Sequence, residues 1–192
     1  MHPSLCSGHG SRTADDCLRN TLHPLPSALH PSSPSTLLIG YGNPGRRDDG
    51  LGPALAARME TRGIAGLDVD SDYQLTVEDA EAAARHGRVI FADAAVEGEE
   101  PFAWRRIGPG DGAPGFSTHS VEPGEVLFLA KTLFGNEPIG YVLAIRGYEF
   151  DEFGEGLTAK ARANLDAAVE FLAGQMRGGL REPHGACLNS GG

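Results

Sequence analysis

The sequence predicts a three-layer α/β domain, a twisted and mostly parallel β-sheet with helices on both faces. Short apolar runs without polar alternation, such as Leu37-Leu38-Ile39 and Val89-Ile90-Phe91-Ala92, read as strands buried on both sides. Longer segments with apolar residues at helical spacing lie between them, and the two kinds of segment alternate along the chain. That alternation is the order of βαβ units, which stack helices over a parallel sheet.

The elements follow in order. Thr36-Leu37-Leu38-Ile39 predicts the first strand, a helix follows over about 50–61, and a second strand lies near Leu67 to Asp70. Thr76-Val77-Glu78-Asp79 has the form of a capping box, opening a short helix through Arg85. The buried strand Arg88-Val89-Ile90-Phe91-Ala92 comes next, then a strand over Phe102 to Ile107. Val121 to Phe134 reads as a helix with Ser120 as its N-cap, and Tyr141-Val142-Leu143-Ala144-Ile145 as a further buried strand. The last helix, about Thr158 to Met176, places Leu157, Ala161, Leu165, Val169 and Leu172 along one stripe.

The 192 residues, 40% of them hydrophobic, suit one such domain with a closed core. Residues 1–34 hold five of the 13 prolines and four of the seven histidines with no periodicity, and are expected to be a disordered leader. The domain is expected over 35–176, and the glycine-rich residues 177–192 as a flexible tail. The leader histidines (His2, His9, His23, His30) are unevenly spaced and read as incidental composition.

Several function classes are disfavoured by composition. The formal charge of −10 would repel a phosphate backbone, so no nucleic-acid partner is expected. No apolar run reaches the roughly 18 residues of a membrane span, and no secretory signal is evident, so a cytoplasmic protein without a membrane partner is expected. Cys6, Cys17 and Cys187 all fall outside the expected domain, which removes disulfide scaffolds, cysteine zinc clusters and cysteine-protease chemistry from it. There is no G-x-S-x-G elbow and no H-E-x-x-H helix, and Ser117 near His119 is too little for a serine triad.

After the first strand, Gly40-Tyr41-Gly42-Asn43-Pro44-Gly45 matches G-x-G-x-x-G, the turn that brings a dinucleotide pyrophosphate to a helix N-terminus. Asp48 and Asp49 then fall where the helix begins, and their charges oppose phosphate there. A Rossmann-like nucleotide-binding module is therefore the alternative rather than the leading expectation. Peptidyl-tRNA hydrolases also open with an apolar strand and Gly-Asn-Pro-Gly, but continue into Arg-His-Asn, where this chain has Arg46-Arg47-Asp48-Asp49.

Ligands of open α/β sheets bind beyond the carboxyl ends of the strands. Asp49 follows the first strand through the glycine turn, Asp93 is expected to end the strand that starts at Val89, and His119 precedes a helix. Two carboxylates and an imidazole form a donor set suited to a divalent transition metal such as nickel or zinc. Each has a plainer use: Asp48 or Asp49 as a helix cap, Asp93 in bonds to backbone amides, His119 bonded to backbone.

Together these motifs resemble the nickel-iron hydrogenase maturation endopeptidases. The resemblance runs over about 37–172 and rests on Gly40-Tyr41-Gly42-Asn43-Pro44 with Asp48-Asp49-Gly50-Leu51-Gly52, on Phe91-Ala92-Asp93-Ala94, on Ser117-Thr118-His119, and on Phe153-Gly154-Glu155-Gly156-Leu157-Thr158. It implies a phosphorylase/hydrolase-like sheet flanked by helices. It also implies an endopeptidase that removes the C-terminal extension of a hydrogenase large-subunit precursor. The nickel already carried by that substrate would bind Asp49, Asp93 and His119, with Asp49 and Asp93 as catalytic residues. No nucleotide cofactor is implied; a non-catalytic assembly chaperone is a further alternative. Asp49 stands where many relatives carry glutamate. Asp72-Tyr73-Gln74-Leu75-Thr76 replaces a common Asp-Gly-Gly-Thr form, is similar to the branch serving soluble multisubunit hydrogenases, and implies Gln74 as a contact to the substrate peptide.

Overall fold

The computed structural model describes residues 35–110, 121–151 and 153–181. The expected leader, Ser117, Ser120, His119 and all three cysteines lie outside the described residues.

Among the described residues five strands and four helices alternate much as the apolar pattern predicts: β1 (Thr36–Tyr41), α1 (Leu51–Arg62), β2 (Leu67–Asp72), α2 (Asp79–Ala84), β3 (Arg88–Ala95), β4 (Phe102–Ile107), α3 (Pro123–Phe134), β5 (Ile139–Arg146) and α4 (Ala159–Gly178). The sheet order is β2-β1-β3-β5-β4, parallel throughout except for the antiparallel edge strand β4. β1 hydrogen-bonds to β2 on one side and β3 on the other, so strand order reverses around it. The chain crosses from β1 to β2 through α1 and from β2 to β3 through α2, and a crevice forms where such crossovers diverge.

Alternating strand residues feed two separate cores, as the two-residue period of a strand requires. Leu38, Ile90, Leu143 and Ile145 pack with Leu55 and Met59 of α1 and with Leu165, Val169 and Leu172 of α4. Leu37, Ile39, Val89 and Phe91 pack on the other side with Ala80 and Ala83 of α2 and Val126, Leu127 and Ala130 of α3. The ion pairs Arg58–Asp166 and Arg62–Glu170 join α1 to α4, but they are exposed and add little beside this burial.

Local chemistry sets the element ends. Gly63 (φ 56°) and Gly135 (φ 71°) take the left-handed conformation that closes α1 and α3, and Thr158 caps α4 by accepting from Ala161 N. α3 starts at Pro123 behind Glu122, later than the expected Val121. Proline fits the first helical position because its missing N–H has no helical partner there. In the expected capping box, Asp79 reaches back to accept from Thr76 N (2.7 Å), but the Thr76 hydroxyl donates to the same carboxylate (3.1 Å). The helix itself consequently begins only at Asp79.

Two boundaries differ from expectation in ways that matter. β3 runs on to Ala95 because β5 supplies partners as far as Arg146, so Asp93 lies inside the strand, opposite Ala144, rather than at its end. α4 continues to Gly178, Arg181 N donates to Gln175 Oε1 (2.8 Å), and Leu180 packs against the core. Residues 177–181, expected in a flexible tail, are thus tied to the domain. No helix among the described residues is long and apolar enough to cross a membrane.

Candidate active site

The glycine turn exists to bring α1 against the strand ends. A Cβ on Gly52 would sit 2.2 Å from Tyr41 O and 2.5 Å from Ala92 O, so the first turn of α1 lies directly on the backbones of β1 and β3. Gly42 has φ +134° and room for no Cβ, which would meet Asp49 O at 2.1 Å. In a dinucleotide fingerprint the third glycine makes the close helix contact. Here Gly52 makes a contact of that kind, after a 3-10 turn over Arg47–Gly50 that the fingerprint lacks.

The adjacent aspartates of that turn have opposite fates. Asp48 is fully buried and accepts from Tyr148 N (2.9 Å), Glu149 N (3.2 Å), Thr158 N (2.7 Å) and the Thr158 hydroxyl (2.8 Å). Burial works against its ionisation, but these four donors outweigh it and hold the carboxyl below its usual range. Asp48 therefore ties the turn to the end of β5 and to the cap of α4. The Gly154 backbone exchanges bonds with the same loop, donating to Gly45 O (2.9 Å) and accepting from Arg47 N (3.0 Å). That clamp holds Arg47 at φ 53°, a conformation costly for a residue with a Cβ.

Asp49 is only partly buried and turns the other way. Its Oδ2 accepts from Asn43 N at 3.2 Å, so an amide that a nucleotide phosphate would need in this turn is already committed to a carboxylate. Its charge acts on Asp93 of β3.

Asp93 is partly buried, accepts from Ala94 N (2.7 Å), and takes a hydrogen bond from the Tyr41 hydroxyl. Burial, with the charges of Asp49 and Glu122, pushes its pKa up to about 6 against the pull of those two hydrogen bonds. Burial and the facing carboxylate raise the Tyr41 phenol strongly, so Tyr41 stays a neutral donor. Both residues open onto a cleft of about 630 Å³ that extends over the sheet to β4 and the start of α3, with Ala144, Val142, Glu122 and Arg105 in its wall.

Asp93 thus opens into the cleft near the point where strand order reverses, and the charge of Asp49 acts on it from outside the lining. Gln74 is exposed beyond the end of β2 and does not line the cleft. His119 lies outside the described residues. Among the described residues no group of three or more His, Cys, Asp or Glu side chains is arranged to hold a metal ion. Asp49 and Asp93 would need a donor from elsewhere to complete such a set.

Chains of known structure share this architecture. The hydrogenase maturation protease HycI of Thermococcus kodakarensis superposes with a TM-score of 0.60 at 19% identity, over 76% of this chain and 95% of its own. The maturating endopeptidase HybD of Escherichia coli gives 0.60 at 21%, over 76% and 94%. The fold is that of the nickel-iron hydrogenase maturation proteases. The endopeptidase HycI of Escherichia coli shares it as well, with a TM-score of 0.55 at 23% identity over 73% of this chain and 90% of its own. No family model matches the chain, and no curated protein does. Because these maturation-protease structures cover nearly their whole length, the likeness extends over the complete fold and is not confined to one βαβ unit.

Tyr41 and Asp48 were not singled out as site or anchoring residues by the sequence. Tyr41 carried a signal: a phenol closing a strand built around Leu37-Leu38-Ile39, in register to face the same side as Ile39. Asp48 carried none, since nothing local distinguishes it from Asp49 and its donors lie a hundred or more residues away.

Proposed function

We propose that this chain is a cytoplasmic endopeptidase that removes the C-terminal extension of a nickel-iron hydrogenase large-subunit precursor once nickel has been inserted. The observation that carries the proposal is the partly buried Asp93, open to a cleft and under the charges of Asp49 and Glu122, on the fold of the maturation proteases. Three acidic groups act on that crevice, so it favours a cation borne by the substrate over an anionic cofactor.

Nickel, as part of the substrate, would take oxygen ligands from Asp49 and Asp93 and, on the resemblance of Ser117-Thr118-His119, a nitrogen ligand from His119. Docking through the metal sets the scissile peptide beside the acids and leaves nickel-free precursor unrecognised. Tyr41 keeps Asp93 oriented toward the cleft. A carboxylate beside the scissile bond can accept a proton from the attacking water and pass it to the amine that leaves as the peptide C–N bond breaks. Gln74, exposed at the same end of the sheet, is assigned to the substrate peptide away from the reacting bond.

The test is the mass of the large subunit after incubation with purified protein. Nickel-loaded precursor should lose its extension and nickel-free precursor should not. Asp93→Ala and His119→Ala should each slow the cut by about a hundredfold or more. Normal cleavage by both variants would remove the proposed triad, and a tight complex with no mass change would favour a non-catalytic chaperone.

A further inference from the structure

The cleft beside Asp93 extends further than an ion needs, and its far wall holds a cation. Register defines the arrangement. Asp93, Ala144 and Ala103 lie opposite one another across β3, β5 and β4, and Phe91, Val142 and Arg105 form the next row back. Residues directly opposite share a face, and Phe91 and Val142 belong to the α2/α3 side, so Arg105 stands on the same face as Asp93. The small side chain of Ala144 leaves a trough between Asp93 and Arg105, and all three line the cleft.

Arg105 is exposed and, among the described residues, is the one cation lining the cleft, whose described charged members are otherwise Asp93 and Glu122. Among the described residues it makes no ion pair or hydrogen bond, whereas Arg58, Arg62 and Arg85 on the helices are each paired with a carboxylate. An arginine held at the edge of a sheet, facing a trough and without a partner, is free to receive a ligand. Its planar fork matches a carboxylate in a bidentate fashion. A phosphate dianion fits less well, since the neighbouring acids would repel its second charge.

We propose that Arg105 is a specificity-determining residue that binds a carboxylate of the substrate polypeptide, which lies along the trough between Asp93 and β4. This rests on the endopeptidase assignment and adds a sequence requirement to it. Two strand spacings and one row separate the Cα atoms of Arg105 and Asp93 by roughly 12 Å. After the reach of the arginine side chain, roughly two to four extended residues fit between the bound carboxylate and the bond beside Asp93. The carboxylate is an Asp or Glu side chain at that distance, or the terminal carboxylate of a short extension.

The experiment compares wild type, Arg105→Lys and Arg105→Glu on nickel-loaded precursor, measuring KM and kcat from the mass shift and Kd by calorimetry. Arg105 is exposed and unpaired, so the variants should fold, which thermal unfolding verifies. Arg105→Glu should raise KM and Kd by about tenfold to a hundredfold with kcat little changed, and Arg105→Lys should keep part of the affinity. Precursors with single Asp or Glu residues near the cut changed to Lys should regain affinity for Arg105→Glu at one position. A precursor with an amidated C-terminus instead identifies the terminal carboxylate as the source if it alone reproduces the defect. Unchanged KM and Kd in Arg105→Glu would overturn the proposal, as would a fall confined to kcat. Wild type that binds without cutting would refute the endopeptidase assignment, while the Kd comparison would still decide the role of Arg105. Wild type that neither binds nor cuts would overturn both.

Discussion

Asp48 and Asp49 share a residue type and adjoin in sequence, yet one anchors the fold and the other accepts from Asn43 N and acts on Asp93 through its charge. Removing Asp48 would strand four donors in the interior, each costly to leave unmade. Asp48→Ala should therefore destabilise by about 3 kcal/mol or more, lowering the thermal midpoint by roughly 10 °C. Because the folded pKa of Asp48 is depressed, its contribution is present above the unfolded value near 3.8 and is lost as pH falls through the folded one. The difference between wild type and variant should accordingly shrink in acid. Asp93 has the opposite sign. Its folded pKa of about 6 lies above its ordinary 3.8, so the folded protein holds that proton more tightly and loses stability as pH rises between those values. Asp93→Asn keeps an acceptor for Ala94 N and Tyr41 while removing the charge. It should stabilise by up to roughly 2 kcal/mol at pH about 7.5, discounted for the open side of the cleft, and by nothing near pH 4. Thermal unfolding at both values checks this, and equal effects at both would contradict the placement of Asp93 in an acidic, desolvated site.

Among the elements, the turn between β1 and α1 carries the site. Gly52 lets α1 rest on the carbonyls of Tyr41 and Ala92, and the following helix buries Leu55 and Met59 only because that contact is so close. Gly52→Ala should force α1 away from the sheet, costing about 1–3 kcal/mol and moving Tyr41 and the 3-10 turn out of register with Asp93. Thermal unfolding would show a fall of several degrees, and cleavage should drop more than stability alone explains. The periodic stripe of α4 and the aliphatic runs of β1, β3 and β5 were legible in sequence because burial on a helix or strand leaves its own period. The end of β3 was not, since the strand stops where the last partner on β5 stops, a long-range fact.

For the whole molecule, strand order fixes where the crevice lies, and the acidic side chains around it make it unfavourable to an anion. A G-x-G-x-x-G turn placed at the same switch point in a nucleotide-binding fold offers free amides, but here Asn43 N is held by Asp49, and Asp93 and Glu122 face the opening. The chain also carries a formal charge of −10. Titration with a nicotinamide dinucleotide should therefore give no binding in the micromolar range. Clear micromolar binding by calorimetry would revive the nucleotide-binding alternative.

The sequence by itself determined the layered α/β class and most strands and helices, and it proposed Asp49 and Asp93 as site acids, because periodicity, turn chemistry and strand-to-loop position are local properties. Only the tertiary structure decided that Asp48 is an internal anchor, that Tyr41 serves Asp93, and that β4 turns antiparallel at the edge and sets Arg105 across a trough from the acids. Those facts depend on hydrogen bonds and strand register between residues far apart in the chain, and no local pattern records which distant donor a carboxylate will meet.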